Sequence, residues 1–262
     1  MPVTIPEGSL AYCRAAGRRL HFEVIRAHRS GTPLVFLHEG LGSVELWRGF
    51  PHAVVTATGR PGLVYSRYGN GWSDPLTEAR PARYMHDEAL GALPEVLAAT
   101  GVTRPPVLVG HSDGASIAAV YAGAGNPVAG LVLIAPHVFV EPETVAAIGA
   151  IRDGFARSDM AARMARYHVA PEATFYGWAD VWLSDDFRSW NIEEYLPAIG
   201  CPILLVQGTE DEYGTGAQLD AIEGTVTGRV RRVMVDGAGH FPHLSDGDPV
   251  AAAVADFIGE MR

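Results

Sequence analysis

The stretch Val107-Leu108-Val109-Gly110-His111-Ser112-Asp113-Gly114-Ala115-Ser116 joins an apolar run, a Gly-x-Ser-x-Gly motif and a segment of small residues. The apolar run is typical of a buried strand, and the small residues are typical of a closely packed helix. An abrupt turn from strand to helix holds its central residue in a strained conformation, and Gly110 and Gly114 remove the side chains that would collide there. The motif therefore predicts that the Ser112 hydroxyl lies at a helix N-terminus, where it is a candidate nucleophile.

Short apolar runs recur along the rest of the chain, with room for a helix between most of them. This alternation predicts a mostly parallel sheet with helices on both faces, the α/β class. The predicted strands are 20–25, 34–38, 62–66, 107–110, 130–135, 203–208 and 230–236. The predicted helices are 45–56, 81–99, 115–122, 216–222 and 249–260, the last beginning after Asp248 as its N-cap.

The alternation is interrupted at residues 141–197, which contain no strand-like run. Apolar residues recur there near helical spacing, which predicts a helical insertion between two strands. The insertion also contains a cluster of aromatic residues, Phe175, Trp178, Trp182, Phe187 and Trp190. Its three tryptophans are candidates for lining a substrate pocket, although clustered tryptophans more often form a core.

Composition excludes several function classes. The 262 residues are 48% hydrophobic and 19% charged, which fits one compact unit with an insertion. All 20 basic residues are Arg, and the absence of Lys rules out pyridoxal-phosphate enzymes, Schiff-base aldolases, P-loop NTPases and protein kinases. The net charge of −10 argues against a nucleic-acid partner and favours a small-molecule partner.

Cysteine usage and terminal composition predict an intracellular location. Cys13 and Cys201 are far apart and form no CxxC pair, so neither a disulfide framework nor a zinc knuckle is expected. Residues 1–7 lack the pattern of a signal peptide, and we therefore expect a cytoplasmic protein. The 27-residue run 114–140 has no Asp, Glu, Lys or Arg, but Gly and Pro at 123–127 divide it, so we interpret it as core and expect no membrane association.

A serine nucleophile needs a general base and an acid that orients the base. His240 follows the strand 230–236 in a loop with Gly237 and Gly239, a setting in which a histidine can be directed into a cleft. Asp211 lies in the loop after the strand 203–208 and is the favoured acid. Glu141 lies just beyond the strand 130–135 and is the alternative acid. Glu210 and Glu212 are interpreted as solvated neighbours of Asp211, and His240 with His243 lacks further ligands for a metal site.

Five motifs in chain order resemble those of the α/β-hydrolase superfamily, over essentially the whole chain. They are residues 37–42 (Leu-His-Glu-Gly-Leu-Gly), residues 66–74 (Ser-Arg-Tyr-Gly-Asn-Gly-Trp-Ser-Asp), the turn at Ser112, the loop at Asp211 and Gly239-His240. The resemblance implies an eight-stranded, mostly parallel sheet, with the hydrolase core at 1–136 and 198–262 and a small helical cap at 137–197. It implies the catalytic order Ser112, Asp211, His240.

The resemblance also implies an oxyanion hole formed by the backbone N–H groups of Asp113 and Gly40, with Leu41 as a further candidate. Two residues depart from the family pattern. Glu39 replaces the usual glycine, and its carboxylate is either bonded to neighbouring backbone N–H groups or faces the substrate. Asp113 beside the nucleophile has no assigned role. His137 follows the strand 130–135, where it lines the pocket or forms a hinge into the cap.

We therefore expect a cofactor-independent serine hydrolase that cleaves an ester, thioester or related acyl bond of a small, mostly apolar molecule. A C–C bond hydrolase, a perhydrolase or a lyase with the same triad, and a non-catalytic small-molecule receptor on the same fold, are the alternatives. No Gly-rich dinucleotide fingerprint follows the first predicted strand, so no cofactor is expected. The chain is expected to be a monomer or a homodimer.

Overall fold

A computed structural model of the chain describes residues 11–27 and 31–261. The interpretation of residues 1–7 lies outside these described residues. Eight strands form one sheet in the order β1-β2-β4-β3-β5-β6-β7-β8. The strands are β1 Ala11–Ala15, β2 Arg18–Ile25, β3 Leu34–Leu37, β4 Gly62–Tyr65, β5 Val107–His111, β6 Gly130–Ile134, β7 Ile203–Gly208 and β8 Val230–Val235.

The sheet is parallel from β4 to β8, and β1 and β2 are antiparallel at one edge. This confirms the predicted fold class. Successive side chains of a strand point to opposite faces. In β3, Val35 and Leu37 accordingly belong to one apolar cluster, and Leu34 and Phe36 belong to another. Both faces of the central strands are therefore buried under helices, which explains why those strands are continuous apolar runs.

The helices of the described residues cover the two faces and the carboxyl edge of the sheet. They are α1 Phe50–Thr58, α2 Tyr84–Asp87, α3 Leu93–Ala99, α4 Asp113–Gly123, α5 Pro142–Phe155, α6 Met160–Met164, α7 Pro171–Trp182, α8 Gly216–Thr225, α9 Pro242–Ser245 and α10 Gly247–Glu260. A π-type segment at Glu88–Ala92 joins α2 to α3, and 3-10 turns occur at Glu45–Trp47, Asp185–Phe187 and Glu193–Ala198.

Four local predictions were wrong. The strand β1 was not predicted, because it has only five residues and its buried residues alternate with exposed ones, so it forms no continuous apolar run. The helix predicted at 45–56 is a 3-10 turn followed by α1, because Arg48 has a positive φ of 53° between them. The helix predicted from 81 begins at Tyr84, after a turn in which the Tyr84 N–H donates to the Pro81 carbonyl oxygen. The last helix begins at Gly247, before the predicted N-cap.

The segment between β6 and β7 contains α5, α6 and α7, as the helical spacing predicted, and no named strand in the described structure. Its aromatic residues pack on one another. Phe155 and Phe175 stack with ring centroids 3.7 Å apart, and Phe187 and Trp190 stack at 5.2 Å. Within the described residues, no helix combines the length and the apolar character that a membrane span requires.

Candidate active site

Ser112 lies at the turn between β5 and α4, with φ 52° and ψ −119°. The turn is tight because backbone passes close on both sides. A Cβ on Gly114 would lie 1.9 Å from the Leu37 carbonyl oxygen, and one on Gly110 would lie 2.3 Å from the Gly114 carbonyl oxygen. Any side chain at either position would therefore collide with backbone, which accounts for the two glycines that flank the serine.

His240 and Asp211 meet at the carboxyl edge of the sheet. His240 Nδ1 lies 2.9 Å from Asp211 Oδ1 and 3.0 Å from Oδ2. The carboxylate also accepts a hydrogen bond from the Tyr213 N–H at 2.9 Å. Burial alone would raise the pKa of Asp211, but the hydrogen bond and charge of His240 outweigh it and lower that pKa. The acid is therefore held ionised against the imidazole ring.

Glu141, the alternative acid, is buried but directed elsewhere. Its carboxylate accepts hydrogen bonds from Thr215 N–H at 2.9 Å, Thr215 Oγ1 at 2.5 Å and Gln218 Nε2 at 2.8 Å. These bonds connect the start of α5 to the start of α8. Glu212 accepts a hydrogen bond from the His240 backbone N–H at 3.2 Å. Within the described residues, neither carboxylate forms a hydrogen bond with the His240 imidazole ring.

Glu39 faces the imidazole of His111, and its Oε2 lies 3.6 Å from His111 Nδ1. His111 Nε2 donates to the His240 carbonyl oxygen at 2.8 Å. Burial alone would raise the pKa of Glu39, but the nearby imidazole of His111 lowers it to about 2. The Glu39 carboxylate also lines the cavity that contains Ser112. It therefore contacts a neighbouring side chain and faces the cavity at once.

The loop at residues 38–42 is held by side chains of the loop that follows β4. Arg67, fully buried, donates through Nη2 to the Glu39 carbonyl oxygen at 2.8 Å. Asn70 Nδ2 donates to the carbonyl oxygens of Gly40 at 3.0 Å and Gly42 at 3.1 Å. The backbone N–H groups of Gly40 and Leu41 make no hydrogen bond within the described part of the chain.

Asp113 points away from the cavity into a buried polar cluster. Its Oδ2 accepts hydrogen bonds from Tyr84 OH at 2.6 Å and from Arg67 Nη2 at 3.4 Å. Trp182 Nε1 in turn donates to Tyr84 OH at 3.0 Å. Burial alone would lower the pKa of Arg67, but the charges of Asp113 and Glu88 raise that pKa together with the hydroxyl groups of Tyr84 and Tyr65. The carboxylate beside the nucleophile thus neutralises a buried guanidinium.

A small cavity joins these groups. Its lining residues are Glu39, Gly40, Leu41, Ser112, His137, Thr144, Ile148, Trp178, Trp182, Tyr213, His240 and Phe241. His137 is buried beside His240, with ring centroids 5.7 Å apart, and burial lowers its pKa to about 3. Trp190, predicted as a pocket residue, is not among the lining residues, because its ring stacks on Phe187 inside the helical segment.

Four lining residues were not singled out as site candidates from the sequence. Ile148 belongs to the helical apolar pattern of α5, and Tyr213 follows Asp211 by two residues, so the sequence contained a signal that could have identified both. Thr144 and Phe241 had none beyond nearness to other site residues. Across the described residues, no cluster of three or more His, Cys, Asp or Glu side chains is placed to hold a metal ion.

This sheet order, with a strained serine after β5 and polar loops after β7 and β8, defines an α/β-hydrolase fold. The chain belongs to the alpha/beta hydrolase family, whose family model matches residues 34–253. A comparison with curated proteins found no match.

Solved structures similar to the chain over nearly their whole length come from several enzymes. The esterase from Rhodococcus sp. ECU1013 is 23% identical, with 97% of this chain and 100% of that chain covered and a TM-score of 0.73. The proline iminopeptidase of Mycobacterium smegmatis is 20% identical, with 97% and 98% covered and a TM-score of 0.71. The meta-cleavage product hydrolase of Pseudomonas fluorescens IP01 is 14% identical, with 96% and 98% covered and a TM-score of 0.71. At these identities the likeness shows a shared fold.

Proposed function

We propose that the protein is a cofactor-independent serine hydrolase that cleaves an ester, thioester or related acyl bond of a small, mostly apolar substrate. The observation that carries the proposal is the pairing of His240 Nδ1 with both Asp211 oxygens, in a cavity that His240 shares with Ser112. The solved esterases with the same fold are consistent with this chemistry.

In the proposed reaction, His240 accepts the Ser112 hydroxyl proton as the serine oxygen attacks the acyl carbon. Asp211 holds the ring with Nδ1 protonated, so that Nε2 is the basic nitrogen, and stabilises the imidazolium that forms. Collapse of the tetrahedral intermediate breaks the bond to the leaving group, which takes the proton from His240. Water then attacks the acyl-enzyme with His240 again as base, which releases the acid and restores the serine.

The negative oxygen of the intermediate is proposed to accept hydrogen bonds from the backbone N–H groups of Gly40 and Asp113, with Leu41 as a third candidate. Two observations support this assignment. The loop carbonyls beside Gly40 are occupied by Arg67 and Asn70, which fix the loop. Asp113 is the first residue of α4, so its N–H has no partner within the helix. Fixed donors of this kind need no rearrangement during the reaction.

Residues 137–197 are proposed to act as a cap over a hydrolase core formed by residues 1–136 and 198–262. The segment contributes Trp178 and Trp182, together with Ile148, to the wall of the Ser112 cavity. It is mostly helical, and it leaves and rejoins the sheet at the adjacent strands β6 and β7. Both features are consistent with a lid that contributes apolar surface for the substrate.

The experiment that tests the proposal combines turnover of short p-nitrophenyl esters with labelling by a serine-directed fluorophosphonate. Wild type should hydrolyse the esters and become labelled, and Ser112→Ala should lose on the order of three to six decades of turnover and all labelling. Ser184→Ala, after α7, is the matched control and should retain both. Turnover that survives Ser112→Ala would overturn the nucleophile. Labelling without turnover of any acyl substrate would instead favour a receptor.

A further inference from the structure

A second, larger cavity adjoins the Ser112 cavity. Glu39, Leu41 and Phe241 line both, so the two share a wall. Most side chains of the second cavity, called here the outer cavity, are apolar. They include Leu46, Met160, Met164, Tyr167 and Leu244. The outer cavity can therefore accept an extended apolar group that the smaller inner cavity has no room for.

Arg48 lines the outer cavity and has an unusual backbone. Its φ of 53° and ψ of −134° fall in a region that side chains disfavour and glycine tolerates. The chain has 30 acidic residues against 20 basic ones, yet the Arg48 guanidinium makes no ion pair or side-chain hydrogen bond to the described residues. An exposed cation at a position that favours glycine thus remains available to a ligand.

The other charged or titratable groups that line the outer cavity already have partners. Arg163 Nε lies 3.4 Å from Asp159 Oδ1 on its own helix. Glu39 faces His111 on the other side of the wall. His168 accepts a hydrogen bond from the Gly71 N–H through Nδ1 at 2.9 Å, and burial lowers its pKa. Among the charged side chains that line this cavity, Arg48 is therefore the one without a partner in the described residues.

We propose that the outer cavity binds an elongated apolar part of the substrate that ends in an anionic group, a carboxylate or a phosphate, paired with Arg48. A guanidinium forms two parallel hydrogen bonds with either anion, which orients the ligand as well as attracting it. The reacting acyl carbon then lies at Ser112, and the anionic end lies in the outer cavity. This inference rests on the proposed function and names the substrate class of that site.

The test uses mono-p-nitrophenyl esters of unbranched dicarboxylic acids of increasing length. Each is compared with its neutral counterpart, in which the far carboxyl is a methyl ester. Wild type should prefer the anionic ester at one chain length by about tenfold in kcat/KM, the size expected of one charge-assisted pair. Arg48→Gln should remove that preference, because it should lower kcat/KM on the anionic ester about tenfold more than on the neutral ester.

Arg104→Gln is the charge-matched control, because Arg104 is exposed in the loop before β5, at the opposite edge of the sheet from Ser112. Arg104→Gln removes one positive charge, as Arg48→Gln does, and should keep the preference for the anionic ester. A second series with a phosphonate in place of the far carboxylate distinguishes the two anions. A third series, acetyl esters with the carboxylate on the leaving group, shows which part of the substrate occupies the outer cavity.

A preference that is absent in all three series, or that survives Arg48→Gln, would overturn the inference. Such a result leaves the proposed function intact as long as neutral esters are turned over by Ser112. Binding of the same anions to the Ser112→Ala protein, measured by calorimetry, provides a readout that does not depend on turnover. It should weaken about tenfold when Arg48→Gln is added, and equal affinity would contradict the inference even if the protein hydrolyses none of the esters.

Discussion

The two walls of the Ser112 cavity are built differently. One wall consists of loops at the carboxyl ends of parallel strands, and its side chains are joined by polar contacts such as His240 with Asp211. The opposite wall consists of helices between β6 and β7, where Trp178 and Trp182 present indole rings. The positions of the side chains on the first wall are set by the spacing of the backbone, because neighbouring strands end at the same edge. The positions of those on the second wall are set by how the side chains pack.

This difference implies that the two walls respond differently to substitution. A polar side chain on the strand-end wall can be replaced by an isostere with little change in volume, so its loss should change chemistry more than stability. An aromatic side chain on the helical wall fills space, so its loss should change stability or specificity. The cluster of Trp182, Tyr84 and Asp113 connects the two walls.

On the strand-end wall, the largest effect after that of Ser112 is expected at Asp211. Asp211→Asn removes the charge that holds the His240 ring and should lower turnover by on the order of two to four decades. Glu141→Gln and Glu212→Gln are the matched controls, because their carboxylates bond to other groups, and each should cost less than about one decade. Ester turnover of the three variants checks this. A crippled Glu141→Gln protein with an active Asp211→Asn protein would reverse the assignment.

On the helical wall, Trp178 and Trp190 provide a matched pair. Trp178 lines the cavity and contacts the Gly40 loop, where a Cβ on Gly40 would lie 2.2 Å from the indole. Trp178→Ala should therefore shift selectivity between bulky and small acyl groups by roughly tenfold, with much less effect on acetate esters. Trp190→Ala should leave that selectivity unchanged and lower the free energy of unfolding by about 3–5 kcal/mol.

A chain-length series of esters and denaturant unfolding of both variants measure the two effects. Identical selectivity profiles for wild type and Trp178→Ala would show that the helical wall does not select the substrate. A selectivity change in Trp190→Ala as large as that in Trp178→Ala would show that cavity volume is not what separates the two residues.

The strand-end wall could be predicted from the sequence because its geometry is local. Gly110 and Gly114 are required by backbone contacts of a few ångströms, and the loops at Asp211 and His240 follow apolar runs directly. The helical wall could be predicted as helical, and the four-residue spacing of Trp178 and Trp182 places both on one helix face. The orientation of Trp190 could not be predicted, because it depends on how the segment after α7 packs on Phe187.

Other features depend on long-range packing and left no sequence signal. The positive φ of Arg48 interrupts a segment whose composition favours a helix. The Glu39 carboxylate finds its partner in His111, 72 positions along the sequence, so its two interpretations could not be separated by inspection. Two side chains that contact Asp113 come from separate parts of the chain. Arg67 lies in the loop after β4, Tyr84 is the first residue of α2, and the two meet under the turn at Ser112.

Acid stability provides the third test, through Glu39. Its pKa of about 2 lies below the ordinary value of 4.5. The ionised group therefore stabilises the folded state fully above about pH 4.5, and this stabilisation is lost as pH falls toward 2. The difference in unfolding free energy between wild type and Glu39→Gln should shrink by about 2 kcal/mol between pH 5 and pH 3.

Denaturant unfolding at several pH values measures this difference, because contributions from Asp211 and His137 are common to both proteins. Adding His111→Asn should remove most of the pH-dependent difference, since His111 is the main partner that lowers the pKa of Glu39. Unfolding free energies of wild type and Glu39→Gln that stay parallel with pH would show that the carboxylate is not held ionised against His111.

The smallest effect is expected where the two walls are connected. Tyr84→Phe removes the hydroxyl that donates to Asp113 and accepts from the Trp182 indole. The Asp113 carboxylate keeps Arg67 as a partner, but the Trp182 indole N–H loses its acceptor, so the free energy of unfolding should fall by about 1–2 kcal/mol, near the cost of one unsatisfied buried donor. Tyr121→Phe, also buried and on α4, is the matched control, because the Tyr121 hydroxyl makes no hydrogen bond within the described residues. It should cost less than about 0.5 kcal/mol.

If the walls are coupled through this cluster, Tyr84→Phe should also change the selectivity for bulky acyl groups in the same direction as Trp178→Ala, by roughly twofold to threefold. A loss of stability with unchanged selectivity would show that Tyr84 supports Asp113 alone, and that the helical wall holds its own position by packing.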